Sequence, residues 1–169
     1  MKIVKLALFL AIVAGLSGAA LSLVNSVTDP LIQEAAIASE KQNLVKIYSG
    51  GEEFKKVESN LADYPAIKDI YSAGDKGYVY KTSVQGYKGP VVILIGLDKA
   101  GTYKGFEIAD ISQETKGIGD KVADESYKKS IVGKNIGDSI DTISGATFTS
   151  KAVVDGIEQA TAHYEENFK

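Results

Sequence analysis

The chain has 169 residues, 44% hydrophobic and 24% charged, with a formal net charge of −3; this is the profile of one ordinary globular domain. It contains no cysteine, which excludes a disulfide framework, a thiolate nucleophile, Cys-ligated iron–sulfur clusters and a lipid-bearing N-terminal Cys. Every basic residue is Lys, and without a basic patch or Arg the composition argues against nucleic acid as a partner.

The N-terminus carries the strongest compositional signal. Lys2 and Lys5 precede a run from Leu6 to Val24 that has no charge. Crossing a bilayer core takes about 20 apolar residues, whereas the apolar part of a secretory signal is about 7–15 residues long. Ser17 to Ala19 offers small residues for cleavage, but the apolar run continues through Leu21, Leu23 and Val24, so an uncleaved anchor in the lipid bilayer is expected. A buried soluble helix fits less well, because Gly15 and Gly18 weaken it and no polar face is visible. The two lysines predict a cytoplasmic N-terminus and a domain outside, on the far side of the inner (cytoplasmic) membrane.

Thr28 or Asp29 is a suitable cap and Pro30 a suitable first helical residue, so a second helix is expected there, ending at Gly50 and Gly51. Residues 51–77 are irregular and yield no chemistry. The pattern then changes to alternating β-branched and aromatic residues, which predicts strands over Tyr78–Gln85, Val91–Leu97 and Tyr103–Ile111. Gly86–Pro90 and Asp98–Gly101 supply the turns, so the strands form an antiparallel meander. The run "VVILIGL" is apolar throughout, which predicts a central strand covered on both faces. Tyr78, Tyr80 and Tyr87 read as filling a pleated, half-buried face rather than as a stacking surface.

"SQETKGIGDKV" follows, with Gly117 and Gly119 allowing a close backbone approach. It is neither a G-x-G-x-x-G nor a P-loop signature. A short helix over Asp124–Ile131 and a last helix from Lys151 to about Phe168 complete the pattern. Between them lies "DTISGATFTS", where Ser144, Thr147, Thr149 and Ser150 gather just before a helix. Hydroxyl residues there are either ordinary caps or part of an anion site at the helix N-terminus, and the stretch alone leaves both readings open. No metal cluster, paired carboxylates or Ser–His–Asp set is apparent, and the only His, His163, is expected at the surface of the last helix. The fold class predicted is α+β: one N-terminal transmembrane helix, then a single domain with a mainly antiparallel sheet packed by helices. The divisions expected are an anchor over residues 1–27, a connecting helix and start of the external domain over 28–75, and the main domain over 76–169.

The motifs together resemble the G component of the Rnf electron-transport complex and, more distantly, the C component of the sodium-pumping NADH:quinone reductase. Asp141-Thr142-Ile143-Ser144-Gly145-Ala146-Thr147 matches the D-x-x-[ST]-G-A-T flavin-attachment motif of that family in full. Glu114-Thr115-Lys116-Gly117-Ile118-Gly119 matches its E-T-P-G-L-G motif except for Lys116 in place of Pro and Ile118 in place of Leu. The resemblance implies a membrane-anchored flavoprotein that relays electrons through covalent FMN and has no substrate of its own. It implies a phosphoester from FMN to Thr147, with Ser144, Gly145, Ala146 and Thr149 around the phosphate, and Glu114, Thr115, Gly117, Ile118 and Gly119 near the isoalloxazine ring. Asp141 would cap the loop or serve the enzyme that attaches the flavin. The partners implied are the other membrane proteins of an Rnf-type complex and, during maturation, a flavin transferase. The alternatives are an anchored ligand-binding module and a pilin-like structural protein, both without flavin.

Overall fold

A computed structural model of the chain describes residues 2–48 and 54–169, with the backbone alone at 26, 27 and 29–39. It divides into two compact units, Met1–Glu40 and Lys41–Lys169.

The first unit is the greater part of one long helix, α1 (Lys2–Ile47). Its segment Lys2–Asn25 is long and apolar enough to cross a membrane, and none of it is buried. Leu6, Phe9, Leu16 and Leu21 all stand well exposed, which a water-facing helix does not tolerate at this density. The second helix expected from Thr28 is not a separate element: the backbone stays helical through Pro30 to Ile47. Proline inside a helix removes one backbone donor without forbidding the helical angles. The stop expected at Gly50 and Gly51 lies outside the described residues.

The second unit is built on a five-stranded antiparallel sheet in sequence order: β1 (Lys55–Lys56), β2 (Ile67–Ser72), β3 (Gly77–Gln85), β4 (Pro90–Asp98) and β5 (Tyr103–Asp110). The expected meander is present, and its three long strands lie within a residue or so of the predicted bounds. β3, not β4, is the middle strand. β4 is nonetheless buried along most of its length, because both faces of the sheet are covered. On one face Tyr80, Ile93, Ile95 and Leu97 pack against Ala152, Val153, Ile157, Ala160 and Tyr164 of the last helix, α3 (Thr147–Asn167). On the other, Val79 and Leu94 pack against Leu44, Ile47 and Tyr48 at the end of α1. The split follows the two-residue period of strands.

Two glycines make the second contact possible. Gly96 and Gly105 pair across β4 and β5. A Cβ on Gly105 would come within 2.8 Å of the Ile47 Cα, so only a bare backbone lets α1 end on the sheet. An ion network holds the same end: Glu107 receives Lys46 at 3.2 Å and Lys128, from α2 (Glu125–Ile131), at 2.7 Å. Burial alone would raise the Glu107 pKa, but the hydrogen bonds and charges of these two lysines hold it below the usual carboxylate range.

His163 departs from its expected surface position. It is fully buried, with Nδ1 3.1 Å from the Tyr80 hydroxyl and Nε2 2.8 Å from the Ser59 hydroxyl. The polar atoms of the ring are thus satisfied inside the core, which a sequence pattern of apolar residues does not reveal. Burial pushes the His163 pKa down, and nearby Glu166 offsets this only in part. A lowered pKa means that the folded state resists protonation more than the unfolded chain does. The stability this confers is complete above the unfolded value of about 6.5 and is lost as the pH falls through the lowered folded value. Denaturation midpoints should therefore fall as the pH drops from 7 toward 5, and this component should disappear in His163→Gln. An equal slope in both proteins would show that His163 does not titrate on unfolding.

Candidate functional site

The site is made where three segments meet. The first is the β3–β4 hairpin loop, closed by the Gly86 N–H donating to the Gly89 carbonyl at 2.8 Å. The second follows β5: the Gly119 N–H donates to the Thr115 carbonyl at 2.8 Å and starts a 3-10 turn over Gly119–Ala123. The third is the beginning of α3. That helix starts at Thr147 rather than at Lys151, so Thr147, Thr149 and Ser150 form its first turn and only Ser144 lies in the loop before it.

The Glu114 carboxylate joins the three. Its Oε1 accepts the Lys88 N–H at 3.0 Å and the Gly89 N–H at 3.3 Å, and its Oε2 accepts the Thr149 hydroxyl at 2.6 Å. Glu114 is 7% exposed. Burial by itself raises its pKa, but the bonds from Thr149 and from the backbone of Lys88, Gly89 and Tyr87 outweigh that and lower it. The room for the carboxylate comes from glycines: a Cβ on Gly86 would lie 2.7 Å from Oε1, and one on Gly119 2.7 Å from Oε2.

Ser150 fixes the approach to α3. Its hydroxyl donates to the Ala146 carbonyl at 2.9 Å and accepts the Ile143 N–H at 3.0 Å. Bonding back four residues is a habit of helical Ser, and here it clamps the turn made by Ser144 and Gly145, whose φ is +84°. Of the two readings left open, a side-chain cap is not the one seen: Ala146 occupies the cap position and makes no side-chain cap hydrogen bond, and among the described residues no side chain accepts a first-turn N–H. The backbone donors at the start of this 21-residue helix are left free of side-chain acceptors.

These segments enclose an open cavity of about 430 Å³, within the usual size of small-molecule sites. Of the residues expected around a phosphate, Gly145, Ala146, Thr147 and Thr149 line it. Thr147 is exposed, whereas the Thr149 hydroxyl is buried and has given its hydrogen to Glu114. Of those expected near a flat ring, Glu114, Thr115, Ile118 and Gly119 line it. Ser144 and Gly117 are exposed and lie outside its wall. Three further lining residues, Tyr87, Lys88 and Phe148, fall outside the expected set. Tyr87 is not on the strand face with Tyr78 and Tyr80 but on the hairpin loop, and the turn signal "GYKG" is the clue the sequence offers. Lys88, which lines the cavity, makes no ion pair among the described residues.

Replacing Glu114 by Gln keeps the shape and lets the amide oxygen accept from Lys88 and Gly89 while the NH₂ donates to the Thr149 hydroxyl, so the bonds remain but lose their charge. Stability should fall by roughly 1–3 kcal/mol, because hydrogen bonds to a charged group are worth more than neutral ones. The wild type should also lose stability as acid takes it below about pH 4.5, through the lowered pKa of Glu114, and Gln should remove that portion. Equal denaturation midpoints from pH 7 to pH 3 in the two proteins would contradict this role.

Residues 86–162 match the FMN-binding domain family, and every residue lining the cavity falls within that segment. The G component of the Na(+)-translocating ferredoxin:NAD(+) oxidoreductase complex of Acetobacterium woodii is 28% identical, over 95% of this chain and 91% of the relative. The G component of the ion-translocating oxidoreductase complex of Methanosarcina acetivorans is 25% identical, over 94% of this chain and 93% of the relative. The component of the same name from Shewanella piezotolerans is 36% identical over 48% of this chain and 45% of its own length. Residues 86–162 thus resemble the FMN-binding domain family, and along most of its length the chain resembles the G components of ion-translocating oxidoreductase complexes.

Proposed function

We propose that the chain is a membrane-anchored flavoprotein subunit that relays electrons within an ion-translocating ferredoxin:NAD oxidoreductase (Rnf-type) complex, through FMN joined by a phosphoester to Thr147. One observation carries this reading. Thr147 is an exposed hydroxyl residue at the uncapped first turn of α3, on the wall of a ligand-sized cavity, inside the segment that matches the FMN-binding domain family.

The residues present fit the group. A helix N-terminus bears roughly half a positive charge and free N–H groups, which suit a phosphate diester. Lys88 adds a full charge to the same wall. Gly145 and Ala146 keep bulk away from Thr147, so a flavin transferase can reach its hydroxyl. Glu114 holds the hairpin loop and the Thr115–Gly119 segment against α3, and Ser150 holds the Ser144–Gly145 turn. FMN, when bound, supplies one- and two-electron transfer, and the protein's part is to position it. No substrate of its own is needed; the electrons would come from and go to other proteins of the complex.

Thr147→Ala removes an exposed hydroxyl and methyl, and such surface changes usually cost within about 0.5 kcal/mol, so the domain should fold. Intact-mass measurement on chain co-expressed with a flavin transferase should show one FMN increment in the wild type and none in Thr147→Ala. Thr149→Ala should keep the increment and be less stable, because Glu114 loses a hydrogen bond. An increment that persists in Thr147→Ala, or maps to Ser144 or Thr149, would refute the assignment.

The anchor reading rests on Lys2–Asn25 and on the two lysines at its start. A reporter active only in the cytoplasm, fused after Lys169, should be silent, while one active only outside should work. The opposite pattern overturns the orientation, and a mature N-terminus near Ala20 overturns the anchor.

A further inference from the structure

Two aromatic rings at the mouth of the cavity are left bare. Tyr87 is 64% exposed and Phe148 72%. Past α1, no other large hydrophobic side chain among the described residues is more than half exposed. They come from different segments, the hairpin loop and the first turn of α3, yet their ring centroids are 6.1 Å apart with planes tilted by 40°. Both line the cavity that Thr147 lines, and Ile118, 47% exposed, adds an apolar group from the third segment. Apolar groups brought together at a cavity mouth and left open to water mark a place that something apolar covers.

The glycines of the Thr115–Gly119 segment do not offer such a place. Gly117 lies outside the cavity wall. The space where a Gly119 side chain would stand is taken by Glu114 and by the Thr149 hydroxyl. Room for a planar group is therefore found on the aromatic side of the cavity. Phe148 adjoins Thr147 in the chain, so a ring tethered to Thr147 by phosphate and a ribityl chain starts out beside it.

We propose that Tyr87 and Phe148 form the seat of the isoalloxazine ring, with Ile118 at its edge. This rests on the reading that Thr147 carries the flavin, and it makes Tyr87 and Phe148 positioning residues. Aromatic faces prefer offset or tilted contacts, so a seat of two inclined rings accepts a flat three-ring system without a rigid slot. A phenol in contact with a flavin also quenches its fluorescence by giving an electron to the excited ring and taking it back, so no net chemistry occurs.

The test uses full chain co-expressed with a flavin transferase and purified in detergent, as wild type, Tyr87→Ala, Tyr87→Trp and Phe148→Ala. Intact mass reports attachment, while flavin fluorescence and visible circular dichroism report the ring's surroundings. The wild type should carry one FMN increment and be several-fold dimmer folded than denatured. Tyr87→Ala should keep the increment and become several-fold brighter when folded, and Tyr87→Trp should restore the quenching. Phe148→Ala should weaken the visible circular dichroism of the bound flavin. If Phe148→Ala is not flavinylated, being next to Thr147, Tyr87→Ala decides alone. Full increments with wild-type fluorescence and dichroism would overturn the ring seat while leaving attachment intact. No increment in the wild type, or one that maps away from Thr147, would overturn the attachment reading and the seat with it.

Discussion

The geometry of the site depends on one buried carboxylate. A charged group removed from water is costly unless it is well hydrogen-bonded, and both oxygens of Glu114 accept, from backbone donors of the hairpin loop and from a hydroxyl of α3. The three segments it joins have no regular ladder between them at this end of the sheet. Without Glu114 the loop bearing Tyr87 and Lys88 would lose the hydrogen bonds that tie its backbone to the Thr115–Gly119 side of the site and to α3. The demand for space explains the chain around it. Gly86 and Gly119 are small because the carboxylate needs the volume on both sides, and Thr149 is committed because Oε2 needs a donor.

The same carboxylate joins the two motifs. "ETKGIG" and "SGATFTS" are separate in sequence, and the pattern alone suggests separate tasks for them, ring and phosphate. In the structure Glu114 and Thr149, one from each, bond to one another at 2.6 Å. The first motif therefore also sets where the helix of the second begins to face the cavity. Lys116, the departure from the family pattern, is exposed and not part of the cavity wall. The connection of the two motifs runs through Glu114 and Gly119 instead, and both of those are retained here.

Much of the fold is legible in the sequence because local pattern and tertiary environment agree. Alternation over residues 77–110 places the strands, and short turns make them antiparallel neighbours. The position of β4 in the sheet is not legible, because an apolar strand reports only that both its faces are covered. Here the second cover comes from the end of α1, and Gly96 and Gly105, which admit it, look like ordinary strand glycines in the sequence. The burial of His163 is hidden for a related reason. Its partners, Ser59 and Tyr80, are remote in the chain, and nothing on α3 itself signals that a polar ring will be satisfied in the core. The pattern sets the start of α3 four residues late because Ser and Thr suggest a cap. The residue at the cap is Ala146, and Ser150 turns its hydroxyl back into the helix.

The absence of a capping side chain on α3 is where local stability and function pull apart. A Ser, Thr, Asp or Asn at the cap typically stabilises a helix by about 1 kcal/mol over Ala, and this chain has hydroxyl residues on both sides of position 146 yet places Ala there. A capping side chain would occupy the same backbone donors that the proposed phosphate on Thr147 would use. Ala146 leaves them open, and its small, buried side chain keeps the turn tight. The structure replaces the missing cap with constraints that do not consume those donors: Ser150 holds Ile143 and Ala146 from behind, and Glu114 holds Thr149 by its hydroxyl. The helix start is thus fixed by side chains facing inward, while no side chain among the described residues takes its first N–H groups. This division is hard to account for on the ordinary-cap reading of "SGATFTS". It fits the anion site proposed at that position.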